Sequence, residues 1–413
     1  MNETDIARQL LACAARAGNS EQKRTHFIDL PRLVLGLARD IATGHYKPRS
    51  FTVFAVTDPK LREIFAPDFA DRLVQQWLVT HVQPWWDRRF IDDSFANRTG
   101  KGTQAAVRRL QHFMRQSGQR WYCHLDIRAF FPSIDRAVLL RLWRKALPQL
   151  PWPQAVRSCL DQVATAIITQ DPTQPAPMRS GDTALLARIP AHKSLLGAAP
   201  GVGLPIGSHT SQFFANVYLN ELDQFVKHQL KVRAYLRYVD DFVLLADDPQ
   251  TLARWQAQIA RFLGDHLHLE LHPGKTVLQR CRQGIDFLGS VVYPDHCLIR
   301  QRSIRALRLR LRWFEWLVFG HADHPVRMPE AGQWRQWLQS HPVLEAQGHP
   351  SQAMLKRMLS TINAYYGIFM HANTYQLRQR IYHQELKGLR KYFRPDGPGY
   401  QHLRIRKVWQ TST

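Results

Sequence analysis

Two adjacent acidic residues, Asp240 and Asp241, interrupt a strongly apolar stretch of the sequence. The segments on either side, residues 234–237 (AYLR) and 242–246 (FVLLA), are typical of two strands joined by a tight turn. Adjacent carboxylates need a positive partner, and hard oxygen ligands of this kind suit Mg²⁺. The pattern therefore predicts a β-hairpin with a divalent metal site at its tip. An exposed acidic turn is the alternative that these residues alone leave open.

A third acid, Asp126, lies in a matching setting upstream, at the end of a predicted strand over residues 121–126. Nucleotidyl transfer uses two Mg²⁺ ions roughly 4 Å apart, one activating the attacking 3′-hydroxyl and the other holding the triphosphate. Three carboxylates on neighbouring strands can bridge two such ions. Asp126, Asp240 and Asp241 meet this requirement if their strands are adjacent.

The charge of the chain indicates the kind of partner. Its 413 residues include 56 Lys and Arg against 33 Asp and Glu, a formal net charge of +23. An excess of this size favours a polyanion, most simply nucleic acid, over the alternative that the charge serves solubility alone. A hydrophobic content of 45% indicates a globular protein with a substantial core.

Cysteine usage and hydropathy exclude several other classes of protein. The five cysteines are widely spaced and lack a CxxC pair, so neither a disulfide framework nor a zinc site is expected. The sequence has no uninterrupted apolar run of the length that spans a bilayer and no secretory leader pattern. A cytoplasmic location without membrane contact is expected.

Helical and strand periodicities are interleaved without regular βαβ repetition, so the sequence predicts an α+β fold. Helices are expected within residues 1–45, 68–90, 103–116, 210–226 and 249–265, and from residue 302 onward. Strands are expected in a hairpin over residues 51–64 and at residues 121–126, 234–246, 267–271 and 287–294. A Pro- and Gly-rich stretch over residues 171–203 is expected to form a long loop or a short hairpin.

Five segments resemble, in order and spacing, the motifs of bacterial reverse transcriptases. They are residues 61–64 (LREI), 93–103 (DSFANRTGKGT), 125–135 (LDIRAFFPSID), 203–212 (GLPIGSHTSQ) and 238–241 (YVDD). The resemblance covers residues 50–395 and implies a right-hand polymerase with fingers, palm and thumb. The expected divisions are an N-terminal helical extension (1–50), fingers (51–120), a palm (121–300) with a fingers insertion near 140–203, a basic helical thumb (301–395) and a basic tail (396–413).

The resemblance also implies roles for single residues around the metals. Asp126, Asp240 and Asp241 would hold two Mg²⁺ ions, for which Mn²⁺ is a possible substitute, with the Ile127 backbone carbonyl as a further ligand. Phe131 would lie beneath the sugar of the incoming nucleotide, where a large ring leaves no room for a 2′-hydroxyl. The enzyme would then prefer deoxynucleotides, whereas an ordinary core aromatic is the alternative for this position.

Three cations are candidates for contact with the triphosphate. Arg98 and Lys101 lie in a Gly-rich turn that could clasp a triphosphate, and a solvated basic loop is the alternative. Lys275 falls where the family has a lysine that can protonate the pyrophosphate leaving group, and a turn lysine is the alternative.

The segment around Gly207 and Gln212 bears on the kind of reverse transcriptase. Its pattern, Ile206-Gly207 followed by Ser211-Gln212, resembles the signature of the enzymes of diversity-generating retroelements, which is associated with error-prone copying of template adenines. Antiphage defence reverse transcriptases share the preceding Pro-Ile-Gly stretch. Ser208 and His209 depart from the family pattern, which has Asn and Leu.

The leading hypothesis is therefore an RNA-directed DNA polymerase that copies a structured noncoding template RNA into mutagenised cDNA. Its expected partners are that RNA, a primer, the cDNA, deoxynucleoside triphosphates and a small basic accessory protein. A defence enzyme that makes DNA from its own noncoding RNA is the second hypothesis. A catalytically idle RNA-binding scaffold is the third, and the intact set of three aspartates argues against it.

The C-terminal part of the chain is expected to contact nucleic acid. Four arginines of one predicted helix would line a duplex through its phosphates, and a solvated charged face is the alternative. They are Arg302, Arg305, Arg308 and Arg312. The tail after Arg394 is expected to be a flexible basic extension.

Overall fold

The structure, a computed structural model, describes residues 1–16, 29–57, 60–116, 118–320, 333–345 and 348–409. The chain divides into two units, Met1–Arg109 with Gly118–Gln279 and Leu110–Ser117 with Arg280–Thr413. Each unit combines helices with mainly antiparallel sheets, which confirms the predicted α+β class. The boundaries of fingers, palm and thumb stay predictions.

The elements of the first unit are interleaved along the chain. In order they are α1 (Glu3–Arg16), α2 (Leu30–Thr43), β1 (Thr52–Val56), β2 (Arg62–Ala66), α3 (Phe69–Asp87), α4 (Thr103–Arg115, which continues into the second unit), β3 (Trp121–Asp126), α5 (Phe130–Ser133), α6 (Arg136–Ala146), α7 (Gln154–Thr169), β4 (Met178–Arg179), α8 (Thr183–Ala187), α9 (His209–Gln224), β5 (Tyr235–Tyr238), β6 (Asp241–Ala246), α10 (Pro249–Leu267) and β7 (Val277–Arg280).

A four-stranded sheet in the order β5-β6-β3-β7 carries the acidic residues. Strands β5 and β6 pair in antiparallel register, as the predicted hairpin requires, and β6 also pairs antiparallel with β3. Cys123 and Leu125 of β3 are buried, whereas His124 and Asp126 are only half-buried. Since successive strand residues point to opposite faces, the sheet has one face in the core and one that carries polar side chains.

Helix α9 crosses the core of the first unit. Twelve of its residues are buried, including Phe214 and Tyr218, so it is enclosed on almost all sides. Trp77 of α3 and Trp143 of α6 are fully buried in the same core. A helix that is packed on all sides in this way is rigid and supports the loops at its ends.

A smaller sheet in the order β2-β1-β4 lies in the same unit. Strands β1 and β2 form the predicted hairpin over residues 51–64, with its turn partly outside the described residues. Strand β4 pairs parallel with β1, so the Pro- and Gly-rich stretch 171–203 returns to the sheet. It also includes the short helix α8.

The second unit has helices and short hairpins. Its elements are β8 (Ile285–Phe287), β9 (Ser290–Val292), β10 (Cys297–Ile299), α11 (Gln301–Phe319), α12 (Gln333–Ser340), α13 (Gln352–Phe369), α14 (Tyr375–Arg380), β11 (Phe393–Pro395) and β12 (Leu403–Ile405). Strands β8, β9 and β10 form one antiparallel sheet, and β11 pairs with β12. Buried side chains of α11 and α13, such as Phe314 and Tyr366, form its core.

Three local predictions are wrong, each for a conformational reason. No strand forms over residues 267–271, because α10 extends to Leu267 and ends at left-handed His268; only Leu271 makes an isolated bridge, to Ile127. The single strand expected at 287–294 is a hairpin, β8 and β9, turned by two residues of positive φ, Leu288 and Gly289. The expected flexible tail is folded as far as residue 409, with β12 buried at both ends.

None of the helices in the described part of the chain is long and apolar enough to cross a membrane.

Candidate active site

The structure brings the three predicted metal-binding aspartates together. The β3–β6 register places Asp126 directly opposite Asp241, so their side chains project from the same face of the sheet. Asp240 precedes Asp241 in the turn between β5 and β6. The amide of Ile127 donates to the carbonyl of Asp240 over 3.3 Å, which ties this turn to β3. The adjacency that the sequence argument required is therefore present.

The turn itself is as short as a hairpin allows. Tyr238 pairs with Asp241, so only Val239 and Asp240 form the loop. Val239 has a φ of +56°, a left-handed conformation that is unfavourable for a β-branched residue. The carboxylates are thus attached to a strained backbone. The left-handed conformation of Val239 persists only if contacts with the surrounding structure maintain it.

The electrostatics of the cluster favour a cation. The pKa of Asp240 is raised to about 6, first by burial and then by the negative charges of Asp126 and Asp241, while Lys275 acts in the opposite direction. A carboxylate in this position is destabilised when it is ionised, unless a positive charge offsets it. The predicted donor set, three carboxylates and the Ile127 carbonyl, has the hard oxygen chemistry that Mg²⁺ and Mn²⁺ take.

Two neighbouring side chains contact the carboxylates in this geometry. Lys275 Nζ lies 2.7 Å from Asp126 Oδ1, and His124 Nε2 contacts Asp241 Oδ1. In the described ranges no three His, Cys, Asp or Glu side chains converge as a complete metal site. Metal binding would therefore require the carboxylates to exchange these partners, with substrate phosphates supplying further ligands.

His124 is a residue of the site that sequence reasoning missed. It lies two residues before Asp126 on β3, and side chains at this spacing share a face of a strand. This two-residue spacing is the feature of the sequence that could have identified His124 as a residue of the site. The presence of a second acid opposite, Asp241, could be known only from the pairing of β3 with β6.

Phe131 follows the carboxylate strand in the short helix α5. Its ring is partly exposed and lies 5.3 Å from that of Phe130, centroid to centroid. Its carbonyl accepts a hydrogen bond of 2.9 Å from the amide of Leu204, at the start of the segment that resembles the fourth motif. The backbone of Phe131 thus connects its own motif to the one that begins at residue 203. The role of its ring in sugar selection stays a prediction.

Gly207 is required by the packing of its segment. It has a φ of +119°, and a Cβ there would lie 2.8 Å from Ile64 Cγ2 and 2.8 Å from the carbonyl oxygen of Phe65. The amide of Phe65 donates to the carbonyl of Ile206 over 2.7 Å. The loop before α9 therefore packs closely against β2. Gln212, in the first turn of α9, is exposed.

Ser208, which departs from the family pattern, has a partner that sequence reasoning missed. Gln75 of α3 donates to Ser208 Oγ over 3.1 Å and accepts from the amide of His209 over 3.2 Å. Its side chain thereby satisfies a free amide at the start of α9. The departure at Ser208 is consistent with its local structure.

Arg98 has a different environment from the one expected. Its side chain is 7% exposed, and it donates to the Asp87 carboxylate and to the carbonyls of Asp87, Ile91 and Ser94. Because these contacts use its guanidinium, the geometry does not support the prediction that Arg98 clasps a triphosphate. It holds the Gly-rich turn to the end of α3.

Lys101 is also engaged within its turn. Its Nζ lies 2.6 Å from Asp92 Oδ1 and 2.9 Å from the Asp92 carbonyl, and it stands 5.2 Å from the ring centroid of Phe95. The Asp92 side chain is 82% exposed, so this ion pair is accessible to solvent and weak. Triphosphate binding by Lys101 stays a prediction.

The arginines of α11 divide into two kinds. Arg308 makes a two-pronged contact with Glu385, at 2.8 and 2.7 Å, and is half-buried. Three others are exposed and lie on the same side of the helix: Arg302, Arg305 and Arg312. Leu307, Leu311 and Phe314 of the same helix are buried and attach it to the core. Three of the four predicted nucleic-acid contacts are thus available to a partner.

Comparison with known proteins connects these observations to a family. Residues 57–292 match the family model described as reverse transcriptase (RNA-dependent DNA polymerase), which covers more than half of the chain. Protein YkfC of Escherichia coli (strain K12) is 23% identical over an alignment of 306 residues that covers 65% of this chain and 71% of YkfC. The group II intron-encoded protein LtrA of Lactococcus lactis subsp. cremoris is 21% identical over 318 residues.

The LtrA alignment spans 61% of this chain and 48% of LtrA, about half of that relative's length. Among solved structures, apo telomerase from Candida tropicalis has a TM-score of 0.43 at 11% identity, covering 61% of this chain and 55% of the telomerase. Telomerase from Candida albicans has a TM-score of 0.38 at 11% identity, covering 82% and 60%. These scores are low, and the family model carries the assignment: the chain belongs to the reverse transcriptases, RNA-dependent DNA polymerases of the right-hand fold.

Proposed function

We propose that this reverse transcriptase copies a structured noncoding RNA into mutagenised cDNA, in the manner of diversity-generating retroelements. The observation that carries the polymerase chemistry is the direct pairing of Asp126 with Asp241, beside an Asp240 whose pKa is raised to about 6. Such a cluster favours divalent cations at neutral pH, where nucleotidyl transfer requires them.

The residues of the site would divide the work of the reaction. Asp126, Asp240 and Asp241, with the Ile127 carbonyl, would hold two Mg²⁺ or Mn²⁺ ions. When bound, such ions lower the pKa of the primer 3′-hydroxyl and offset the charge of the triphosphate. Lys275 would leave Asp126 and donate its proton to the departing pyrophosphate, which its 2.7 Å contact puts within reach of the site.

Substrate selection would depend on two further positions. Phe131, partly exposed in α5 beside the segment before α9, would exclude a 2′-hydroxyl and select deoxynucleoside triphosphates. Lys101 would exchange its exposed partner Asp92 for the triphosphate, because a highly charged anion competes well with a single solvated carboxylate.

The mutagenic character is proposed from the segment that holds Gly207 and Gln212. The close packing of Gly207 on β2 fixes the start of α9, and Gln212 is exposed one turn later. A polar side chain beside the nascent base pair would change how tightly template and nucleotide are held. The resemblance of residues 206–212 to the signature of these retroelements supports this interpretation.

The partners follow from the same proposal. The exposed Arg302, Arg305 and Arg312 would contact phosphates of the template duplex without reading its sequence. The template RNA, the primer, the cDNA and a small basic accessory protein would assemble on a protein that acts in the cytoplasm. A formal charge of +23 is consistent with several simultaneous contacts to nucleic acid.

Primer extension tests the proposal in two stages. The purified protein is given Mg²⁺, all four deoxynucleoside triphosphates and a DNA-primed RNA template with all four bases, and the product is sequenced. We expect incorporation that is lost in Asp240→Asn/Asp241→Asn, with errors concentrated opposite template adenine. No incorporation by the wild type would refute the polymerase, whereas errors spread evenly over the bases would refute the mutagenic assignment and favour the defence enzyme.

A further inference from the structure

A fully buried arginine, Arg237, lies directly before the YVDD turn. Arg237 and Asp223 of α9 both have completely buried side chains, and they form a two-pronged ion pair with distances of 2.8 and 2.6 Å. Tyr235 also donates to Asp223, over 2.7 Å. A buried ion pair often stabilises a fold less than apolar side chains of the same volume would, so stability alone does not account for it.

The remaining contacts of Arg237 extend beyond this pair. Its Nη1 donates to Asn216 Oδ1 over 3.2 Å and to the carbonyl of Val239 over 3.0 Å, and its Nη2 donates to Ser94 Oγ over 3.1 Å. With the two bonds to Asp223 this makes five acceptor contacts, which equals the number of N–H groups on a guanidinium. The shape of arginine is therefore used in full, and lysine with three N–H groups could not replace it.

The backbone of Arg237 adds a further connection. Its amide donates to the carbonyl of Asp93 over 2.9 Å, and its carbonyl accepts from the amide of Phe95 over 3.0 Å. The segment 93–95 thus runs beside β5 as a parallel bridge at Ser94. Arg237 joins three parts of the first unit: the YVDD hairpin, helix α9 and the segment that leads into the Gly-rich turn.

The contact with Val239 bears directly on the carboxylates. Val239 is left-handed, and its carbonyl belongs to the peptide that leads into Asp240. A β-branched residue leaves this conformation readily unless its peptide is held. We propose, on the basis of the function proposed above, that Arg237 is a positioning residue: it holds the Val239 peptide and so sets the orientation in which Asp240 and Asp241 bind metal.

Two variants separate positioning from folding. Arg237→Lys keeps a charge beside Asp223 but cannot make all five contacts, and Asp223→Asn/Arg237→Gln replaces the ion pair with two neutral amides. The matched control is Tyr235→Phe, which removes one bond to the same Asp223 and none to Val239. Each protein is assayed for cooperative urea unfolding, for kcat and KM in primer extension, and for the shift in Tm that Mg²⁺ produces without substrate.

We expect both Arg237 variants to unfold cooperatively, to lose about tenfold or more in kcat, which is ~1.4 kcal/mol, and to require several-fold more Mg²⁺ for half-maximal rate. The Mg²⁺-induced shift in Tm should shrink in parallel, whereas KM for the primed template should change little. Tyr235→Phe should retain its kcat and its Mg²⁺ response within about threefold, since the Val239 contact is intact.

Repeating Arg237→Lys in the Val239→Gly background tests whether the lost contact with the Val239 peptide causes the loss of kcat. Glycine adopts the left-handed conformation without penalty, so the loss caused by Arg237→Lys should become several-fold smaller there. Three results would overturn the inference. They are an equal loss of kcat in both backgrounds, a kcat and Mg²⁺ response in the Arg237 variants that equal those of the wild type, and loss of cooperative unfolding in both variants. An inactive wild type would instead refute the proposed function, because the Tm response to Mg²⁺ can still be read.

Discussion

Replacing Asp240 with asparagine should make the protein more stable at neutral pH while it removes activity. The pKa of Asp240 is raised to about 6, with burial as the first cause and the charges of Asp126 and Asp241 next. An acid whose pKa is raised by folding binds its proton more tightly in the folded state. Stability is therefore highest below the unfolded pKa and is lost as the pH rises through the folded value.

The magnitude follows from the shift. An aspartate titrates near 3.9 in an unfolded chain, so the difference is about 2 units, equivalent to roughly 3 kcal/mol at full effect. Asp240 retains some exposure, which reduces this to about 1–3 kcal/mol at pH 8. Asparagine has the size of the protonated side chain and no charge, so Asp240→Asn should recover that amount at pH 8 and progressively less as the pH falls toward 4.

Urea unfolding without divalent ions, at pH 8 and at pH 4.5, measures the effect. Asp247→Asn is the matched control, because Asp247 directly follows the same strand and its contact with Arg120 is exposed to solvent. Adding Mg²⁺ should stabilise the wild type more than Asp240→Asn. A variant that is no more stable than the wild type at pH 8, or whose gain is the same at both pH values, would refute the electrostatic reasoning.

Three further changes test other parts of the site. Phe131→Ala should raise ribonucleotide incorporation relative to deoxynucleotide by roughly tenfold or more, and an unchanged ratio of kcat/KM values would remove Phe131 from sugar selection. Gly207→Ala should cost about 1–3 kcal/mol of stability in urea because of its +119° φ and the 2.8 Å approach to β2, whereas Gly264→Ala, with nothing within 4 Å, should cost nothing. Neutralising the three exposed arginines of α11 with glutamine should flatten the plot of log Kd for a primed RNA template against log salt by about 2–3, and a slope equal to that of the wild type would contradict phosphate contact.

The sequence was sufficient where the structure depends on local composition. Apolar, β-branched and aromatic residues over 121–126 and 234–246 predicted the strands, and the acidic pair within 234–246 predicted the turn that holds Asp240, with Asp241 at the start of β6. The family motifs then supplied the pairing of strands that periodicity does not determine.

Other features depend on partners that are distant in sequence. Arg98 has the residue type and the setting of a phosphate ligand, yet its guanidinium binds Asp87 and nearby carbonyls inside the fold. Gln75 meets Ser208 across 133 positions, and Lys275 meets Asp126 across 149. Charge and local pattern do not reveal such contacts, because they arise only when separate elements pack together.

Nearby side chains and burial act in opposite directions on the ionised carboxylates, which explains why a polymerase site would lower the stability of the fold. Lys275 offsets part of the charge on Asp126 and His124 contacts Asp241, while Asp240 remains the carboxylate whose ionisation burial opposes most clearly. Protons and divalent cations compete for the same oxygens, so the free energy lost by ionising Asp240 at neutral pH becomes available to a bound cation. A site relaxed by Asp240→Asn would be more stable and would bind metal less well. The instability of Asp240 and its proposed role in metal binding thus have one physical origin, the burial of a carboxylate beside two further negative charges at the tip of the hairpin.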